Sequence, residues 1–446
     1  MKLHLDWSDY ENAGQGDAYA GIPSSGGDFA RAVSVCIRDR HCQETGKGVM
    51  CPSYRVTRDP LHSPGGRVLV LKEALNGQLG DTPFAHRRVV EAMDLCLGCK
   101  GCQRECANRV DMAAIRIEAL AQRNVATGVP LRDRLFAGLP RWLKRRSLLR
   151  ALVALRNRHA WLARAGERWL GIAARRRLPE PAPAPFREPA PVAAPEDGRD
   201  VILFVDTYAR HFEPEIAEAA MAVLEAAGYR VRLLAPAADD VEPARDLCCG
   251  RTYLSLGQID AARREAARML SALQPALVAG TPVVGLEPSC LLSLRDEHLR
   301  LGLGEEARAL ARQVWLFEEF IARESERKRF NVAFKPLPGK VLVHGHCHQK
   351  AVGAMKSLRK ALRLVPGLDF EFIEASCCGG GGSFAFEAEH ADISLGMAEA
   401  GLLPVIRAAA PDTDLLANGF SCRHQIEEGA GRRPRHVALL LRDALG

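Results

Sequence analysis

The chain has 446 residues, 47% of them hydrophobic and 26% charged, with a formal net charge of +7. That length exceeds one ordinary domain and calls for two or three, and that composition excludes a disordered protein. No apolar run reaches the roughly 18 residues that a membrane-spanning helix needs, and the opening "MKLHLDWSDYENAGQGD" has no basic stretch followed by an apolar core.

The expected location is therefore the cytoplasm, or the inner face of a membrane as a peripheral protein. In a reducing compartment the 14 cysteines read as metal ligands before disulfides. Adjacent pairs such as Cys248-Cys249 and Cys377-Cys378 are poor disulfide partners in any case, because the small ring they would close is far from relaxed geometry.

In chain order, residues 1–28 are polar and glycine-rich and predict a flexible tail or a strap on a partner. Residues 29–130 read as helical, with segments such as "HRRVVEAMDLC" and "DMAAIRIEALAQR", and hold seven of the cysteines. Residues 131–178 predict amphipathic helices with 14 Lys or Arg against two acidic residues, a net +12 that leaves the rest of the chain at −5. Residues 179–199 form an extended proline-rich linker. Beyond it, strand-like runs "VILFV", "YRVRLL", "PVVGL", "KVLVHG", "FEFIE" and "DLLANG" alternate with helical stretches, which predicts parallel α/β structure with crossover helices. The pattern repeats. Asp206, Cys248, Cys249 and Cys290 mark one copy, and Cys347, Cys377, Cys378 and Cys422 the other, giving two tandem domains over 200–325 and 326–446.

"CLGCKGCQREC" spells Cys96-x2-Cys99-x2-Cys102-x3-Cys106. Three thiolates two residues apart wrap one iron–sulfur cluster, while the fourth points to another; a zinc ribbon would want two separate CxxC pairs. Upstream, Cys36 and Cys42 have the first-to-third span of the same motif, with Asp39 in the middle position, and Cys51-Pro52 supplies the fourth cysteine. The crossed arrangement assigns Cys51, Cys96, Cys99 and Cys102 to one complete 4Fe-4S cluster. Cys36, Cys42 and Cys106 remain for a second, one thiolate short. Asp39 or His41 completes it, or nothing does, leaving a three-iron cluster, a labile one or none; a carboxylate is a harder ligand and holds iron less firmly.

"MCPSYRVTRDPLHSPGGR" followed by "DLCLGCKGCQREC" resembles the iron–sulfur half of the FAD-linked 2-hydroxyacid oxidoreductases of the D-2-hydroxyglutarate and D-lactate dehydrogenase type. The iron–sulfur subunits of glycolate oxidase and anaerobic glycerol-3-phosphate dehydrogenase are more distant relatives. "LFVDTYARHFEPE", "CCGRTY", "GLEPSCLLSLRDE", "HGHCHQKA", "CCGGGGSFAFEAEH" and "GFSCRHQI", in that order, resemble tandem cysteine-rich "CCG" domains of the heterodisulfide-reductase type. The resemblance implies an all-α ferredoxin domain followed by two parallel α/β CCG domains. No flavin-binding stretch is visible, which implies FAD on a partner dehydrogenase subunit.

The marked residues sit just beyond apolar strand runs, where parallel sheets gather ligands. The second copy has four thiolates, Cys347, Cys377, Cys378 and Cys422, enough for a cluster or a zinc ion. The first has three, Cys248, Cys249 and Cys290, with Asp206 in the place of the fourth. Heterodisulfide-type sites end in CxxC, whereas each copy here ends in a single cysteine. A cubane cluster, zinc, or an empty dithiol are the options for these sites, in that order. His346 and His348 flank Cys347 as candidate ligands or proton donors.

The basic helices, with Trp142, Trp161 and Trp169 among arginines, suit a membrane surface or a docking partner, and no nucleic-acid-binding motif accompanies them. The expected function is electron transfer from a flavoprotein to quinone or a soluble carrier. The alternatives are a heterodisulfide-reductase-like thiol–disulfide oxidoreductase and a zinc-dependent nucleic-acid binder.

Overall fold

The computed structural model describes residues 1–17, 20–188 and 198–446. Among the described residues before 199 the named elements are all helices. Two parallel sheets follow. The first has strand order β2-β1-β3-β4, with β1 Arg199–Phe204, β2 Tyr229–Leu233, β3 Val283–Gly285 and β4 Val314–Leu316. The second has order β6-β5-β7, with β5 Lys340–His344, β6 Asp369–Phe372 and β7 Asp414–Ala417. The predicted strand runs form six of these. β4 escaped because "VWL" is three residues long, too short for any periodicity.

The sheets are copies. β1 pairs with β2 and β3 as β5 pairs with β6 and β7, and an isolated parallel bridge from Leu416 to Arg435 stands where β4 stands in the first sheet. Phe204 opposite Gly285 corresponds to His344 opposite Ala417. The copies pack reciprocally. Helix Pro214–Ala226 of the first meets helix Val437–Asp443 of the second, and helix Phe317–Glu326 meets helix Met355–Leu362. One core joins them, with Val201, Leu203, Phe317 and Phe320 from one side and Val341, Val343, Leu358 and Leu440 from the other.

The N-terminal segment, expected as a flexible tail or strap, is a strap on this chain over its first ten residues. Leu5 and Trp7 are buried in the helical core. The buried Glu118 carboxylate accepts from Leu5 N–H (2.9 Å) and Trp7 Nε1–H (3.2 Å), and Trp7 meets Phe29 edge-on. Two large apolar side chains outweigh a polar, glycine-rich composition. The predicted linker departs from an extended spacer too. Phe186 is buried between the repeats and its N–H bonds to Arg210 O (2.7 Å), while residues 189–197 of the linker lie outside the described residues.

The basic segment forms helices Arg146–Arg158 and Ala160–Leu170. The first buries no residue and the second only Ala163. The returning chain anchors the pair. Ala173 N–H bonds to Phe386 O (2.8 Å), Ala388 N–H to Gly171 O (2.9 Å), and Arg132 pairs with Glu389 (2.6 Å) and Glu387 (3.3 Å).

Candidate metal centres and the cavity between them

The seven N-terminal cysteines fall into two neighbouring groups. Cys51, Cys96, Cys99 and Cys102 lie within electrostatic reach of one another, as do Cys36, Cys42 and Cys106 with Asp39. The two loops share a backbone. In Cys96–Cys102 the left-handed residues are Gly98 (φ 62°) and Lys100 (φ 61°); in Cys36–Cys42 they are Arg38 (φ 63°) and Arg40 (φ 61°). Asp39 therefore occupies the place of Cys99. It is exposed and accepts a bond from His41 N–H at 3.1 Å. The His41 ring instead faces Glu44 at 3.0 Å.

Arg67, missed in the sequence, is 1% exposed and donates to Cys51 Sγ (3.6 Å), Ser53 Oγ (2.8 Å) and Ala92 O (2.8 Å). Burial would raise the Cys51 thiol, but the Arg67 guanidinium holds it below its ordinary value. A guanidinium buried among Cys51, Cys96 and Cys102, with no carboxylate pairing among the described residues, matches an anionic thiolate-bound cluster. The donor set fits a 4Fe-4S group.

The paired cysteines form two corners, Cys248-Cys249 just before helix Arg251–Leu254 and Cys377-Cys378 shortly after β6. Gly250 (φ 76°) and Gly379 (φ 78°) turn the chain, and a Cβ on Gly379 would stand 2.1 Å from Ser394 O. The turns aim N–H groups at sulfur: Gly250 at Cys248 (3.4 Å), Gly379 at Cys377 (3.5 Å) and Gly380 at Cys378 (3.4 Å). Thiols hydrogen-bond in a chain, Cys248–Cys249–Cys290 in the first corner and Cys347–Cys377–Cys378–Cys422 in the second. Bonds from Cys347 and Cys378 hold Cys377 well below the usual thiol range.

The sequence pairing of Asp206 with Cys347 shifts by one. Asp206 caps helix Thr207–His211, accepting from Tyr208 N–H (2.8 Å) and Ala209 N–H (3.2 Å). His346 caps helix Cys347–Val352 the same way, accepting from His348 N–H at 3.1 Å. Asp206 thus corresponds to His346, and Thr207 stands where Cys347 does.

Each flanking histidine has its own partners. The His346 ring packs on Gly419, where a Cβ would stand 2.4 Å from it, and His348 Nε2 lies 3.1 Å from Gly98 O and 3.3 Å from Arg251 Nη2. The ligand atoms that cluster are those of His344, Cys378 and Cys422, all buried and within 4.8 Å of one another. His344 was overlooked because a histidine inside "KVLVHG" reads as strand filler; "HGHCH" was the available signal.

The Cys96–Cys102 loop is wedged between the corners. Gly98 meets His348, and Leu97 lies against Gly381 of the second corner. Lys100 is 3% exposed and pairs with Asp296 (2.5 Å) and Glu297 (2.9 Å) of the first repeat, and Glu297 also binds Arg251. Both corners open on one cavity of about 700 Å³, whose lining includes Cys249, Cys290, Cys347 and Cys377 of the corners and the exposed Leu148 and Leu152 of the basic helix.

Comparison with known proteins places ten of the fourteen cysteines in recognised domains; Cys248, Cys249, Cys290 and Cys422 lie outside both matched ranges. Residues 32–110 match the 4Fe-4S dicluster domain and residues 341–410 the cysteine-rich domain called CCG. One subunit of the anaerobic glycerol-3-phosphate dehydrogenase of Escherichia coli (strain K12) is 28% identical over 280 residues, which cover 62% of this chain and 67% of that protein. A D-2-hydroxyglutarate dehydrogenase of Pantoea ananatis (strain AJ13355) is 23% identical over 436 residues, 87% of this chain and 41% of that protein. The glycolate oxidase iron-sulfur subunit of Escherichia coli (strain K12) is 22% identical over 431 residues, 93% of this chain and 94% of that protein. The chain thus spans less than half the length of the D-2-hydroxyglutarate dehydrogenase it matches.

Proposed function

We propose that this chain, an iron–sulfur protein with a dicluster domain and a cysteine-rich domain, is the electron-transfer component of an FAD-dependent 2-hydroxyacid dehydrogenase. Clusters bound at the dicluster cysteines and an iron–sulfur centre at the second corner would supply one-electron chemistry. Cys51, Cys96, Cys99 and Cys102 would hold one cluster; Cys36, Cys42, Cys106 and Asp39 the other. The observation that carries the reading is the seating of the Cys96–Cys102 loop on the second corner, through Gly98 to His348 and Leu97 to Gly381. This contact supports the corner as the next station for an electron leaving the dicluster domain, while the buried Lys100 ties the same loop to Asp296 and Glu297 of the first repeat.

The acceptor we propose is a lipid-soluble quinone. The cavity behind the corners is walled by Tyr208, Phe212 and Phe420. Trp142, Leu148 and Leu152, which line it, and Trp161 and Trp169 of the following helix are exposed among arginines, a pattern suited to the surface of an anionic membrane. Among the described residues no helix is long and apolar enough to cross a membrane.

A disulfide substrate is the second reading, favoured by the two sets of thiols facing one cavity. Quinone analogues and disulfides are separated by adding each to the reduced chain under anaerobic conditions. Reoxidation by a short-chain quinone and not by a disulfide is expected, and the opposite result favours the second reading. Flavin-free chain that oxidised D-2-hydroxyglutarate or D-lactate with an artificial acceptor would refute the division of labour.

A further inference from the structure

We propose that His344 is a ligand of the metal centre at the second corner, making it a mixed imidazole–thiolate site. The inference rests on reading that corner as metal-bearing. His344 closes β5 and is 1% exposed, and neither ring nitrogen has a hydrogen-bond partner. Other buried histidines of this chain use at least one ring nitrogen: His298 bonds Cys249 O (2.8 Å), His436 bonds Leu286 O (3.2 Å), and His211 Nε2 lies 3.1 Å from Asp246. An imidazole sealed from water with both nitrogens idle is expensive unless something accepts its lone pair. What lies in reach is sulfur. Its ligand nitrogen, Cys378 Sγ and Cys422 Sγ all fall within 4.8 Å of one another. Cys347 and Cys377 continue the same thiol chain.

The first corner acts as an internal control. Strand register puts Phe204 where His344 stands, and the helix caps put Thr207 where Cys347 stands. Both donors that the second corner adds to its Cys-Cys and final cysteine are thus missing together from the first, which keeps three thiols. The two positions vary as a unit, as members of one coordination set would. A neutral imidazole in place of a thiolate removes negative charge from the centre and raises its reduction potential, as histidine does in Rieske centres, which favours accepting electrons from the all-thiolate cluster of Cys51, Cys96, Cys99 and Cys102.

The test uses the full chain, purified anaerobically, as wild type, His344→Phe and His344→Cys. Iron and zinc are counted, and directly coordinated nitrogen is sought by pulsed EPR of the reduced protein or by zinc-edge X-ray absorption if the centre is zinc. The wild type is expected to show metal beyond the dicluster complement and one coordinated nitrogen. His344→Phe, with the side chain the first corner accommodates, should lose that nitrogen while keeping the dicluster iron. His344→Cys should keep the metal, lose the nitrogen and, if iron, titrate at a lower potential. An unchanged nitrogen signal in His344→Phe, or metal without coordinated nitrogen in the wild type, overturns the assignment while leaving the metal-bearing corner intact. No metal beyond the dicluster complement overturns the assignment together with the reading beneath it.

Discussion

Asp39 shows what a single residue can reveal and conceal. Its spacing between Cys36 and Cys42 was legible, but that its loop repeats the left-handed turns of Cys96–Cys102 was not, because Arg38 and Arg40 do not advertise positive φ as glycine does. If Asp39 is a ligand, Asp39→Ala should convert the second cluster to a three-iron form, and Asp39→Cys should keep four irons and lower its potential; identical EPR spectra for wild type and Asp39→Ala would contradict this. Glycine carries the corners in the same residue-specific way. Gly379 combines φ 78° with a backbone oxygen 2.1 Å from where its Cβ would be. Gly379→Ala should therefore cost about 2 kcal/mol or more, read as a lowered thermal midpoint, whereas Gly367, also at positive φ but with open space, should cost only the strain of about 1–2 kcal/mol. His344 and Arg67 were hard to read for a common reason. Each is a polar residue inside an apolar pattern, and only the fold shows that the neighbours are thiols.

At the scale of elements, local patterns named six of the seven strands but misjudged what the connecting segments do. The N-terminal strap depends on the Trp7 ring against Phe29 and on Leu5 N–H and Trp7 Nε1–H donating to Glu118, contacts that reach across more than a hundred residues in the case of Glu118 and that no local window contains. Trp7→Ala should destabilise the helical part by about 3–5 kcal/mol, measured by chemical unfolding of the holoprotein. A second long-range tie joins helix Arg87–Asp94, just before Cys96, to the loop after the second corner. His390 lies 2.7 Å from Asp94 and 2.9 Å from Glu387 and stacks on Phe384. Burial alone would lower its pKa, but the two carboxylates lift it to about 9. A raised histidine stabilises fully below its unfolded value near 6.5, and the contribution fades as pH rises through about 9. The wild type should therefore lose on the order of 2–3 kcal/mol between pH 6.5 and 9.5 that His390→Asn does not lose, in parallel denaturant titrations.

The helices Arg146–Arg158 and Ala160–Leu170 pose the opposite problem, since their apolar face has little of this chain to cover it. Under the proposed membrane contact, Leu152→Glu together with Trp161→Glu should reduce co-sedimentation with anionic vesicles about tenfold or more, and neutral vesicles or high salt should weaken wild-type binding. Equal binding by the double variant would remove this surface from the account.

For the whole molecule, the order of motifs conveyed an internal duplication, while the reciprocal packing of the copies emerged only from the fold. Two sheets joined through one core bring both corners to a single cavity, and the Cys96–Cys102 loop enters between them. The duplication also explains the asymmetry of the corners. The strand ends are equivalent, but Phe204 and Thr207 replace His344 and Cys347, so the copies share a scaffold and not a donor set. The sequence could not align these positions to the residue because "VDT" and "HGHC" differ around the helix cap, and the cap is what fixes the register.

The central claim is that electrons leave the dicluster domain through the second corner. It is tested most directly by reducing the anaerobically purified chain, mixing it with a short-chain quinone in a stopped-flow instrument, and following the iron–sulfur absorbance. Wild type should reoxidise promptly, and Cys377→Ser, with its dicluster iron verified as intact, should slow by about tenfold or more, roughly 1.4 kcal/mol of added barrier. Equal rates for the two proteins would contradict the route.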